Sequence, residues 1–139
     1  MFTVIVWLVV GVIGSAVLLQ YVHRKSPKTR LNILGCALII AALIYVAFAA
    51  YAINLKWVGI ELVGVFIYGC FFAVAKQKGL IYLAIGWILH PVWDFVLHLY
   101  GAGHEFAPQW YAIMCISFDV TVAVYILIQA RVENRVNAR

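Results

Sequence analysis

The chain has 139 residues, 67% of them hydrophobic and 11% charged, with a formal net charge of +5. A soluble domain of this size needs a far more polar surface, so composition excludes a water-soluble globular protein and points to an integral membrane protein. The positive balance does not signal nucleic acid, because the basic residues fall in short separated segments rather than in one patch.

A bilayer core of about 30 Å is crossed by about 20 apolar residues in helix, with every backbone polar group bonded within the segment. The first run that meets this requirement is Phe2 to Val22. Gly14, Ser15 and Ala16 are small enough for a cleavage site, but no basic segment precedes the run and its positive charges follow it. It is therefore expected to stay as an anchor. Arg24, Lys25, Lys28 and Arg30 lead into the second run, Leu31 to Ile53. The third, Trp57 to Ala75, is followed by Lys76 and Lys78. The fourth is Gly79 to Tyr100, and the fifth, Trp110 to Ala130, is followed by Arg131, Arg135 and Arg139. Such runs are too long for strands and lack the alternation of a β-barrel. The expected fold class is all-α, a polytopic bundle of five transmembrane helices in a single domain over residues 1–139.

Five crossings put nine basic residues on one side and Lys56 alone on the other. Short loops rich in Lys and Arg stay in the cytoplasm. The expected protein is thus a multi-pass component of the cell membrane, N-terminus outside and C-terminus cytoplasmic, with membrane lipids as its surroundings. Cys36, Cys70 and Cys115 all lie within apolar runs, and their odd number argues for free packing thiols. Ala37 and Ala41 offer a small-residue contact for a homo-oligomer.

The segment Gly86 to Phe106 concentrates three of the four histidines in apolar surroundings. His90, Asp94 and His98 recur every four residues, which on an α-helix is one face. Charged groups at membrane depth cost a few kcal/mol each, roughly, and usually face the bundle interior with a task there. Counting inward from the non-cytoplasmic helix ends places Glu61, His90, Asp94, His98 and Asp119 in the outer half of the bilayer. His104 and Glu105 sit in the loop on the same side, as a candidate lid. Pro91 has no N–H for the carbonyl of Trp87 and is expected to kink the helix beside His90. Trp57, Trp110, Tyr100 and Tyr111 fit an interfacial belt; Trp87, Trp93 and Tyr68 are candidates to line a pocket and bind substrate.

Three chemistries fit these residues. Asp94 with His90, Glu61 and Asp119 suits acid–base catalysis, in which neighbouring titratable groups are pushed to different tasks. A divalent metal such as zinc could draw on His90, Asp94, His98 and His104, although His90 and His98 lie about 12 Å apart along a straight helix and cannot share one ion. Either would act on a lipid-like or isoprenoid substrate by hydrolysis, isomerisation or cyclisation. The alternatives are a proton or metal-ion transporter or channel, and a structural protein whose polar residues join helices. Transport needs a polar path to the cytoplasm, and the inner half offers little beyond Thr121, Tyr125 and Gln129.

The pattern Trp87, His90, Pro91, Trp93, Asp94, His98 resembles the signature of a family of small bacterial membrane proteins of unknown function. A looser resemblance is to membrane hydrolases that include alkaline ceramidases, which implies zinc held by histidines and an aspartate. This chain departs from that pattern in having five helices and no paired histidines on the last one, so no residue role carries over.

The charge asymmetry makes a direct prediction. A fluorescent protein fused after Arg139 will fluoresce in the cytoplasm, and a cysteine placed at Lys56 will react with an impermeant maleimide from outside. The reverse labelling would overturn the orientation.

Overall fold

The computed structural model describes residues 2–137. Arg139, the last of the nine clustered basic residues, lies outside the described residues. The elements are α1 (Phe2–His23), α2 (Pro27–Tyr51), α3 (Leu55–Lys78), α4 (Leu80–Trp93), which continues as a π-helix (Asp94–Tyr100), a 3-10 turn (Ala102–Glu105) and α5 (Gln109–Asn137). With α4 and its π-helical continuation forming one span, Leu80–Tyr100, five helical segments among the described residues are long and apolar enough to cross a bilayer. The protein is a multi-pass membrane protein of all-α class.

Local chemistry sets the helix ends. α2 starts four residues before the apolar run because Ser26 caps it, its hydroxyl accepting from the Thr29 N–H at 3.3 Å, with Pro27 at the first position. Asn54 caps α3 in the same way, accepting from the Trp57 N–H at 3.3 Å. Between α3 and α4 stands Gly79 at φ 109°, a conformation that needs a residue without Cβ.

α5 packs most extensively on α1 and α4, and α3 on α2 and α4. Large apolar side chains such as Ile13, Phe66 and Val96 point outward, as a lipid-facing surface requires. Towards the basic ends of the helices the interior is a dense apolar plug of Leu34, Leu38, Leu83, Trp87, Val122 and Ile126, all fully or almost fully buried. At the basic margin, Arg30 donates to the Gln129 side chain at 2.6 Å and His23 lies 3.1 Å from the Tyr125 hydroxyl. The polar residues of the inner half are therefore tied to the loop ends.

The α1–α5 seam depends on close approach. A side chain at Gly11 would meet the Met114 carbonyl and the Ser117 hydroxyl, the latter already donating to the Leu8 carbonyl at 2.8 Å. Gly59 has nothing within 4 Å of such a side chain. Gly11→Val is therefore expected to destabilise by about 1–3 kcal/mol through overpacking, and Gly59→Ala to be neutral. Thermal unfolding in detergent micelles checks this; equal losses would contradict the seam.

Candidate functional site

At the end opposite the basic loops the interior changes character. Glu61 from α3, His90 from α4, Asp94 and His98 from the π-helix and Asp119 from α5 are all buried to 2% exposure or less. Burying an ion costs several kcal/mol, roughly, even after relaxation, unless it is paired and hydrogen-bonded. Five such groups in one apolar bundle therefore have to answer to one another.

They do so in two linked sets. The His90 Nδ1–H donates to Asp119 Oδ2 at 2.8 Å, and the same nitrogen lies 3.5 Å from Asp94 Oδ2. Ligand atoms of His90, Asp94 and Asp119 all lie within 4.8 Å of one another, so these three could hold one metal ion. The second set is His98 Nε2, 3.4 Å from Glu61 Oε1, with the Trp93 indole N–H donating to Glu61 Oε2 at 3.2 Å. Tyr45, a residue the sequence did not single out as part of the site, joins the sets. Its ring stacks on His98 at 3.9 Å between centroids and 6° between planes, and it lies 6.1 Å from the His90 ring. Tyr68 covers the other side of His90, at 5.1 Å.

The π-helix explains why two histidines on one span serve different partners. The Pro91 ring interrupts the α ladder, and the Asp94 N–H reaches both the His90 and Pro91 carbonyls. From Asp94 onward the turn is wider, which swings His98 away from the α4 face that His90 occupies. The even four-residue stripe of a single α-helix is thus replaced by a fork, with Asp94 at its base.

Much of this polarity is unpaired. Glu61 Oε1, His90 Nε2, both oxygens of Asp94, both ring nitrogens of His98, Asp119 Oδ1 and the Tyr45 hydroxyl are buried without a well-aligned hydrogen-bond partner among the described residues, the Tyr45 hydroxyl and the Asp94 carboxylate being loosely paired with each other. The short approaches of Asp94 to His90 and of Glu61 to His98 are within ion-pair distance but lack hydrogen-bond alignment. Interhelical glue would leave few such atoms, because buried polar groups are normally satisfied.

Several expectations are corrected. His104 is exposed, and its Nδ1 lies 2.7 Å from the Gly101 carbonyl, so it is neither beside the metal-ligating trio nor a lid. Glu105 is exposed as well. The loop closes over the site through apolar residues instead: Gly103 packs on His98, Phe106 meets the His98 ring edge-on at 5.6 Å, and Trp57 packs against Phe106. His98 stands with Glu61 and outside the trio. Trp93 neither lines an open pocket nor faces lipid alone; it anchors Glu61. Trp87 is fully buried against Phe118 in the plug, where it cannot touch a substrate without repacking.

A groove of about 240 Å³ between α2 and α5 reaches the cluster from the lipid side. Ala37, Ala41 and Ile44 form one wall, and Met114, Cys115 and Phe118 the other, with Asp119 lining it. A larger cavity of about 460 Å³ lies at the opposite end between Lys28, Lys76 and Glu133, away from the buried acids.

The chain belongs to the family of unknown function DUF6010, which matches residues 3–132. No curated protein and no solved structure matches it. The DUF6010 match takes in nearly all of the five spans and every member of the cluster, while assigning it no activity.

If the cluster is built for a task rather than for cohesion, its members differ in stability cost. In chelator-treated protein, Asp94→Asn is expected to cost little stability, because this carboxylate has only loose approaches, from His90 Nδ1 at 3.5 Å and from the Tyr45 hydroxyl. Asp119→Asn is expected to lower stability by about 1–3 kcal/mol through loss of the His90 charge-assisted bond. Equal falls for both variants would mark the acids as helix-joining contacts.

Proposed function

We propose that this chain is an intramembrane enzyme that performs acid–base or metal-assisted chemistry on a lipid-like or isoprenoid substrate, by hydrolysis, isomerisation or cyclisation. With the basic loops cytoplasmic, its site lies in the outer half of the bilayer. The observation that carries this reading is an apolar groove open to lipid and lined at one point by Asp119, a member of a buried cluster rich in unpartnered acids and imidazoles.

Each group has a role that its position supports. Asp94, with no well-aligned hydrogen bond to either oxygen among the described residues and only a loose approach from the Tyr45 hydroxyl, is the principal carboxylate for giving or accepting a proton. His90 is its partner, oriented by Asp119 through Nδ1. Glu61 and His98 form a second proton-exchanging pair, with Glu61 held by Trp93. General acid–base catalysis of this kind contributes roughly 10²–10⁴-fold. The substrate enters sideways along Ala37 and Ala41, which a soluble molecule would not do. Tyr68 and the stacked Tyr45 pack directly on the imidazoles and hold them in place.

The apolar plug of Leu34, Leu38, Leu83 and Trp87 supports a one-sided pocket over a transporter, because a conducted ion would have to cross it without polar partners. Proteoliposomes supplied with mixed isoprenoid, acyl and sphingoid lipids, followed by mass spectrometry, test the proposal. Conversion of one lipid class is expected, falling by about 10²-fold or more in Asp94→Asn and obstructed in Ala41→Phe, which fills the groove. An ion flux abolished by Asp94→Asn, with every lipid unchanged, would overturn the enzyme reading in favour of transport.

A further inference from the structure

We infer that His90, Asp94 and Asp119 bind one divalent transition-metal ion, with zinc the chemical probe of choice, and that its open coordination position faces the α2–α5 groove.

Charge comes first. Glu61, Asp94 and Asp119 carry up to three negative charges, and two imidazoles can offset at most two, in surroundings where a net charge is costly. A divalent cation in place of the His90 proton cancels that imbalance when His98 is protonated. Geometry comes second. Tetrahedral ligands to one zinc ion, each at about 2.0–2.2 Å, lie about 3.3–3.6 Å apart. The three ligand atoms here lie within 4.8 Å of one another, so binding draws the widest pair together by about 1 Å, within the reach of carboxylate rotation. The ion would take the place of the proton that His90 Nδ1 now donates to Asp119, and Asp94 Oδ2 already approaches the same nitrogen at 3.5 Å.

The independent observation is the state of the ligand atoms. Asp119 Oδ1 and both Asp94 oxygens, on residues exposed by 1% or less, have no well-aligned hydrogen-bond partner among the described residues, and the loose approach of the Tyr45 hydroxyl to Asp94 leaves that carboxylate free to turn to an ion. One nitrogen and two carboxylates, without a thiolate, suit zinc, manganese or ferrous iron. Three protein ligands leave a fourth position, the arrangement of catalytic rather than structural sites. Because Asp119 lines both the trio and the groove, that position is the one a substrate oxygen or a water would take. His98 and Glu61 stand beside it as the proton-exchanging pair. This deepens the enzyme reading and rests on it for the role of the open position; ion binding itself does not depend on it.

The test uses the full chain in lipid nanodiscs, stripped with chelator, dialysed and titrated with zinc. About one zinc per chain is expected. His90→Gln, Asp94→Asn and Asp119→Asn should each weaken binding by about tenfold or more, while His104→Ala binds as wild type does. Cobalt in the wild-type site should show visible ligand-field bands without a thiolate charge-transfer band, unchanged in Cys115→Ser, a readout that needs no acidic variant to fold. Wild-type protein with intact helical circular dichroism that takes up no zinc, cobalt or manganese would overturn the inference, as would zinc uptake that survives Asp94→Asn and Asp119→Asn. Stoichiometric zinc without lipid conversion would sink the enzyme reading alone. Conversion that persists after complete stripping would sink the metal's part in the reaction alone.

Discussion

The structure is organised by the difficulty of keeping charge in an apolar bundle. Three acids and two imidazoles from α3, the α4 span and α5 are withdrawn from both water and lipid, and each ion so placed costs several kcal/mol, roughly, unless others answer it. Most of the remaining architecture can be read as the arrangement that makes this tolerable. The helices approach closely where glycine permits, as at Gly11. The inner half is filled with leucines and a tryptophan, and aromatic rings enclose the imidazoles. What the bundle does not do is satisfy the acids completely, and that residue of unpaired polarity is the strongest physical argument for a task.

The break at Pro91 gives the span two jobs. A continuous α-helix would present His90, Asp94 and His98 as a single stripe to one neighbour. The wider turn beginning at Asp94 lets His90 meet Asp119 on α5 while His98 meets Glu61 on α3. One segment thereby couples two helices that are not among the most extensively packed pairs. π-helical turns recur at functional sites because they re-aim side chains at the cost of regular backbone bonding, and here the re-aimed residues are the ionisable ones.

Hydrophobic run length made the five spans legible, since the requirement for internal backbone bonding leaves little choice of structure in lipid. The depth argument also placed Glu61, His90, Asp94, His98 and Asp119 at a common level, because depth depends on residue count alone. Rotation was less legible. Proline at position 91 announced a disturbance, but a kink and a π-helix have the same local signal, so the division between His90 and His98 was hidden. Tyr45 was hidden for another reason: an aromatic residue in an apolar run carries no mark of whether it meets a histidine or a lipid chain. His104 was legible as a loop residue but not as an outward one, because the 3-10 turn that packs Gly103 inward and leaves His104 outside carries no mark in the sequence.

An experimental density map of the protein in lipid nanodiscs, at a resolution that defines side chains and ordered ligands, tests the central claim most directly. The account requires density from an ion, ordered water or a substrate-like molecule in contact with Asp94 and Asp119, with the α2–α5 groove open towards it. A map in which those carboxylates bond to neighbouring side chains alone, in a space too small for any guest, would contradict it.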